Sequence, residues 1–174
     1  MKLRVAIARD QQAASMLLME VAERLQAKGS QQWQQILNGS EEEIISQRIA
    51  NKTLLVAENE AEEVIALCYL YQEPSQWDQD LWEESVQPNI YYLHRVALAN
   101  QVSGQKIGQE FIQSIQDYLS QQGEEVVIRL DCVSYLAVLN DLYQNSGFQQ
   151  VGVVADVTAG ELVADFNLYE WSLK

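Results

Sequence analysis

The chain has 174 residues, enough for one domain with a core of its own. Hydrophobic residues make up 48% and charged residues 21%, which excludes a disordered or fibrous chain. The 25 acids against 11 bases give a formal net charge of −14, a field that repels nucleic acid and anionic membrane and favours a cationic substrate.

The opening "LRVAIA" has the apolar content of a strand, and Asp10 is placed to cap a helix after it. Ala14, Leu17, Leu18, Val21, Ala22 and Leu25 then recur at helical spacing until Gly29. Ser40 and Glu43 stand at capping-box spacing ahead of Ile44, Ile45 and Ile49, which predicts a second helix. "TLLVAE" and "VIALCYLY" flank the acidic turn "NEAEE" and predict a hairpin. From Gln72 to Pro88 the chain holds both prolines with Trp77 and Trp82, and is expected to be a long loop over a binding site. Its two tryptophans fit a cation–π wall, a lid without selectivity, or core.

"NIYYLHRVAL" predicts the next strand, and Ile107, Phe111, Ile115 and Leu119 an amphipathic helix stopped by Gly123. "VVIRLDCV" is apolar enough for a central strand covered on both faces. Ser134 is the expected cap of a helix carrying Leu139 and Leu142, on whose other face Asn140 and Tyr143 stand, the tyrosine either exposed toward a cleft or a packing aromatic with a wet hydroxyl. "QQVGVVA" and "DFNLYEWSL" close the chain as two strands with a turn near Gly160. The order implies an α/β architecture, a mixed sheet flanked by helices, in which residues 89–133 form a right-handed βαβ crossover. No internal repeat or composition shift divides the chain, so a single domain over 1–174 is expected.

Cys68 and Cys132 lie in strand-like runs and are read as buried free thiols of a reducing compartment. His94 is the single histidine, so no zinc set, and no metal, is expected. The first ten residues have too short an apolar run for a signal sequence, and nothing approaches a membrane span; the cytoplasm is the expected location.

The stretch "QVSGQKIG", residues 101–108, has two glycines and a lysine where a strand gives way to a helix. The first amides of such a helix form an anion site, and Gly104 and Gly108 leave room for a phosphate. Taken in isolation, the stretch reads better as an ordinary strand-to-helix connection. The glycines do not fit a dinucleotide fingerprint, and Lys106 followed by Ile107 does not fit a Walker loop.

Together, "YYLHRVALANQVSGQKIGQEFIQSI" and "IRLDCVSYLAVLNDLYQNSGF" resemble the acetyl-CoA-binding core of the GNAT superfamily of N-acetyltransferases. The resemblance implies the fold of that family, α/β (α+β), with a mixed central sheet of six to seven strands and about four helices. It implies acetyl-CoA held by Val96, Ala97, Leu98, Gln101, Ser103, Gly104, Gln105, Lys106, Ile107, Gly108, Asn140 and Tyr143. Lys106 stands where the pattern has Gly or Ala, and Leu136 where relatives often carry Asn. The implied reaction passes the acetyl group directly to a primary amine of a small molecule or peptide. A backbone N–H between Val96 and Leu98 would hold the oxyanion, and Tyr143 would protonate the departing thiolate.

Tyr92 falls where many relatives carry a glutamate base. His94 lies on the same face and is the candidate base, either as proton relay or as a strand residue with an ordinary hydrogen bond. Arg95 is assigned to the opposite face, and Asp131 to anchoring an amide rather than to catalysis. Cys132 has no second histidine to activate it. The competing function is a CoA-binding regulatory module of the same fold without turnover. Neither nucleic acid nor membrane is an expected partner, and the chain is expected as monomer or homodimer.

Overall fold

The computed structural model describes residues 1–82, 89–102, 106–123 and 125–173. Seven strands form one mixed sheet in the order β1-β2-β3-β4-β5-β7-β6: β1 Lys2–Val5, β2 Leu54–Glu58, β3 Val64–Tyr71, β4 Ile90–Leu98, β5 Val127–Val133, β6 Gln149–Ala159 and β7 Leu162–Ser172. All neighbours are antiparallel except β4 and β5, joined through helix α5 (Ile107–Ser120) as the expected crossover.

Helices cover both faces. On one lie α1 (Gln11–Ala27), the four-residue α2 (Gln34–Leu37) and α3 (Glu41–Ala50), whose Leu18, Ile36 and Ile45 bury against Leu67 and Tyr92. On the other lie α5 and α6 (Ala137–Asn145), where Phe111, Ile112, Ile115 and Leu119 meet Ile128, Leu130 and Tyr169. The stripe expected on α5 is therefore the core face, each large side chain worth about 2 kcal/mol of burial. Cys68 and Cys132 are buried free thiols.

Several local expectations are corrected. Six α-helices are described, not about four, because α2 and α4 (Gln76–Trp82) were not anticipated. Helix α4 lies within the segment expected to be a loop, of which residues 83–88 lie outside the described residues. Its start is a capping box: the Asp78 carboxylate accepts from Ser75 N–H at 2.8 Å while Asp78 N–H donates to Ser75 Oγ at 3.3 Å. Ser40, by contrast, makes no cap, because its hydroxyl donates to the Gln35 carbonyl at 2.6 Å. Asp10 is drawn instead into hydrogen bonds from Arg4 and Ile7 N–H, and Ser134 yields the position before α6 to Leu136.

One irregularity positions the residues of the site. Tyr69 pairs with His94 and Leu67 with Ala97, so β4 carries an extra residue at Arg95, whose φ is +53°. A non-glycine residue held there costs about 1 kcal/mol. The Arg95 guanidinium is secured in turn by Glu41 at 3.2 Å and by the ring of Trp33, 5.1 Å from the centroid. The bulge places Arg95 on the same face as His94, not on the opposite face that strict alternation predicts.

Candidate active site

The parallel ladder between β4 and β5 ends early. Its pairs run from Ile90↔Val127 to Tyr92↔Arg129, although β4 continues to Leu98 and β5 to Val133. Each strand stays paired on its outer edge, β4 to Leu98↔Ala66 and β5 to Val133↔Phe166. The inner edges therefore part and leave a wedge lined by backbone. Ala99 N–H donates to the Ile65 carbonyl, so alternation turns Ala97 toward β3 and the N–H groups of Val96 and Leu98 toward the wedge. The Leu98 carbonyl on that edge is taken by Arg24 at 3.1 Å.

His94 and Asp131 stand two residues past the last ladder pair, one on each strand, and face the same side. Their Nδ1 and Oδ1 atoms are 4.0 Å apart. His94 Nε2 lies 2.6 Å from Asp78 Oδ1, and the ring stacks on Tyr71 at 5.4 Å and 11°. Arg48 covers the Tyr71 ring, 4.0 Å from its centroid.

Burial alone would raise the Asp78 carboxyl. The hydrogen bond and charge of His94, with the bonds from Ser75, outweigh it and hold the group below the usual range. Asp131 goes the other way: burial raises it, and His94 with the Trp77 indole, which donates at 3.0 Å, offsets only part. One acceptor-rich wall thus carries an anchored imidazole flanked by two carboxylates of unlike character. The three side chains also offer ligand atoms within 4.8 Å of one another.

Tyr143 lies across the sheet and is a packing aromatic rather than an exposed one. It is 7% accessible, with its ring against Phe148 and Tyr169 at 6.0 Å each. Burial, with added repulsion from Cys132 and Asp131, pushes its hydroxyl well above the ordinary range, so it stays protonated. Asn140 is likewise buried. Its amide donates to the carbonyls of Val133 at 3.0 Å and Leu136 at 2.9 Å, and accepts from Asn167 at 2.8 Å and the Tyr169 hydroxyl at 2.7 Å. The inward side of α6 is thus the Asn140–Tyr143 side, with Leu139 and Leu142 half-buried beside it.

Of the turn, Ser103, Gly104 and Gln105 lie outside the described residues. Gln101 is exposed on a single 3-10 turn, Asn100–Val102. Lys106 is exposed just before the first residue of α5, so its charge and the unpaired amides of that helix share one end. Ile107 and Gly108 form the first turn, and a Cβ on Gly108 would meet Leu142 Cδ1 at 3.2 Å. The described role of Gly108 is thus close packing of α5 on α6.

Sequence reasoning missed Asp78 and undervalued Asp131. Ser75 and Asp78, three apart, carried the capping signal for α4; nothing local paired Trp77 with Asp131 across 54 positions.

The seven-stranded sheet thus splits between its parallel neighbours, with backbone donors on one edge of the wedge and titratable groups beside them. The Acetyltransferase (GNAT) family model matches residues 19–148, and the chain belongs to that family. It is 31% identical over 150 residues to the uncharacterized N-acetyltransferase YesJ of Bacillus subtilis, covering 86% of this chain and 82% of that protein. A GNAT-family acetyltransferase from Listeria monocytogenes superposes with a TM-score of 0.79 at 31% identity, over 99% of this chain and 94% of that one. The fold is shared with yncA of Salmonella typhimurium, whose structure holds its cofactor acetyl-CoA: TM-score 0.71, 13% identity, 99% and 94% covered. Among the described residues no helix is long and apolar enough to cross a membrane.

Proposed function

We propose that the chain, as one domain over residues 1–174, transfers the acetyl group of acetyl-CoA to a primary amine of a small molecule or peptide. The wedge is the observation that carries this reading. It leaves the Val96 and Leu98 N–H groups without ladder partners on β5, beside an imidazole on the same strand. Bound acetyl-CoA would supply an activated acyl carbon there. Val96 and Leu98 would hold the thioester arm and the oxygen on which charge grows, with donors already fixed in place. Lys106 and the opening amides of α5 would hold phosphate, with Gln101, Ser103, Gly104 and Gln105 beside them. Tyr143, protonated throughout the working range, would give its proton to the leaving sulfur. An alkyl amine titrates near about 10, so it reaches the site charged and needs a proton acceptor, the role we assign to His94. Asn140, occupied by internal bonds at both its nitrogen and its oxygen, would orient α6 and Tyr169 rather than touch the cofactor.

Titration calorimetry with acetyl-CoA should show one saturable site, and a panel of primary amines should release free thiol. Absence of any association refutes the reading. Binding without release across the panel would replace transfer by a CoA-binding regulatory role.

A further inference from the structure

The gap between His94 and Asp131 is shaped for a nitrogen. Two acceptors 4.0 Å apart are too far to bond each other, yet a single ammonium nitrogen fits about 2.8 Å from both. Asp78 decides which imidazole atom faces that gap. Its carboxylate sits 2.6 Å from Nε2 and also accepts from the Ser75 amide and hydroxyl, at 2.8 and 2.6 Å, so it is a fixed anion. A carboxylate can only accept, so Nε2 carries the hydrogen, and the neutral ring presents its lone pair at Nδ1. Asp131 is held by the Trp77 indole on the oxygen that faces His94. Both side chains reach the surface, His94 at 19% and Asp131 at 10% accessibility.

We propose that Asp131 and His94 Nδ1 seat the ammonium group of a cationic alkyl amine acceptor, with Asp131 as its anchor, His94 as its base and Asp78 as the positioning residue. This rests on the acetyl-transfer reading and narrows its substrate class. The nitrogen loses two protons in becoming an amide. One goes to Nδ1 and on to water; the departing sulfur takes its proton from Tyr143, which the second amine proton restores, as the new N–C bond replaces the C–S bond. Ammonium and thioester thus become amide, thiol and one released proton. The Tyr71 ring, backed by Arg48, fixes the imidazole plane. A divalent metal is a poorer occupant. The hydrogen bond to Asp78 uses Nε2, so the cluster offers a metal only Nδ1 and Asp131.

A single histidine makes the test direct, since nitrogen-15 labelled histidine gives one imidazole. In the free protein the spectrum should show the tautomer protonated at Nε2, and Asp78→Asn should lose that preference. Titration with n-butylammonium chloride should shift Nδ1 saturably, and n-butanol should not. Asp131→Asn keeps an acceptor for Trp77 and should fold. It should weaken the butylammonium response about 10- to 100-fold, the loss of one charge-assisted bond, and raise KM for cationic amines similarly. The groups facing His94 in such titrations are Asp78 from α4, Asp131 from β5, Tyr71 from β3 with Arg48 of α3 behind it, and Arg95 with Glu41 alongside.

A tautomer protonated at Nδ1, no butylammonium shift, an equal shift in Asp131→Asn, or tight zinc binding that needs both aspartates would each overturn the proposal. Acetyl transfer with Asp131→Asn unchanged would sink the amine seat alone. An intact ammonium response without acetyl-CoA binding would sustain the seat and refute the transfer reading.

Discussion

Replacing Asn140 by alanine tests whether that amide builds the site or contacts the ligand. Its Nδ2 supplies donors to the Val133 and Leu136 carbonyls, and its Oδ1 accepts from Asn167 and Tyr169. Val133 and Tyr169 are 0% accessible, so the Val133 carbonyl and the Tyr169 hydroxyl lose partners where water does not reach. Tyr169 keeps only a 3.3 Å bond from Gln144. The Val133 carbonyl keeps the Leu136 amide at 3.2 Å, so the Tyr169 hydroxyl hydrogen is the group left stranded, at about 1–3 kcal/mol, and the bonds lost to the carbonyls and to Asn167 add less, for a total of about 2–4 kcal/mol. In a domain of this size that lowers Tm by roughly 10 °C. Thermal unfolding by circular dichroism, without ligand, reads the effect. Tyr169→Phe removes one donor and should cost only about 1 kcal/mol. A fall below about 3 °C for Asn140→Ala would refute the view that this amide locks α6 onto β5 and β7.

Tyr143→Phe should lower kcat for acetyl transfer at least about 100-fold with Tm almost unchanged, because no described residue hydrogen-bonds the lost hydroxyl; equal rates would remove it as the acid. Asp10 is held below the usual carboxylate range by the hydrogen bonds of Arg4, against the opposing effect of burial. Its contribution is therefore complete above about pH 4 and fades as pH falls through the lower folded value; Asp10→Asn should cost about 2 kcal/mol at pH 7 and flatten the acid limb of urea midpoints measured from pH 2 to 6. Burial pushes the Cys132 thiol up to about 12 and Cys68 further, so at pH 8 a thiol reagent should find neither in the native protein and both in urea. Fast native labelling would contradict their burial.

Helices and strands with a strong period were legible because periodicity is a local property: α1, α5 and the strands β2 to β5 lie close to where apolar spacing predicts them. The turn after β4 and the Asn140–Tyr143 spacing were legible as motifs and led to the family. Their environments were not. Asn140 and Tyr143 stand on one side of α6 in either reading, but only the packing of α6 against β5 and β7 decides that this side points inward.

By itself, then, the sequence determined the seven strands, the four longer helices and the single parallel crossover, and marked His94 and Tyr143 as residues able to do acid–base work. Tertiary structure alone decided which of them meet. No side-chain pattern announces that Arg95 adopts a positive φ, yet that one residue resets the register of β4. Asp78 reaches His94 across 16 positions and Trp77 reaches Asp131 across 54, separations at which no local propensity acts. Their meeting comes from β4 and β5 parting after Tyr92 and Arg129 while each remains pinned by its outer neighbour.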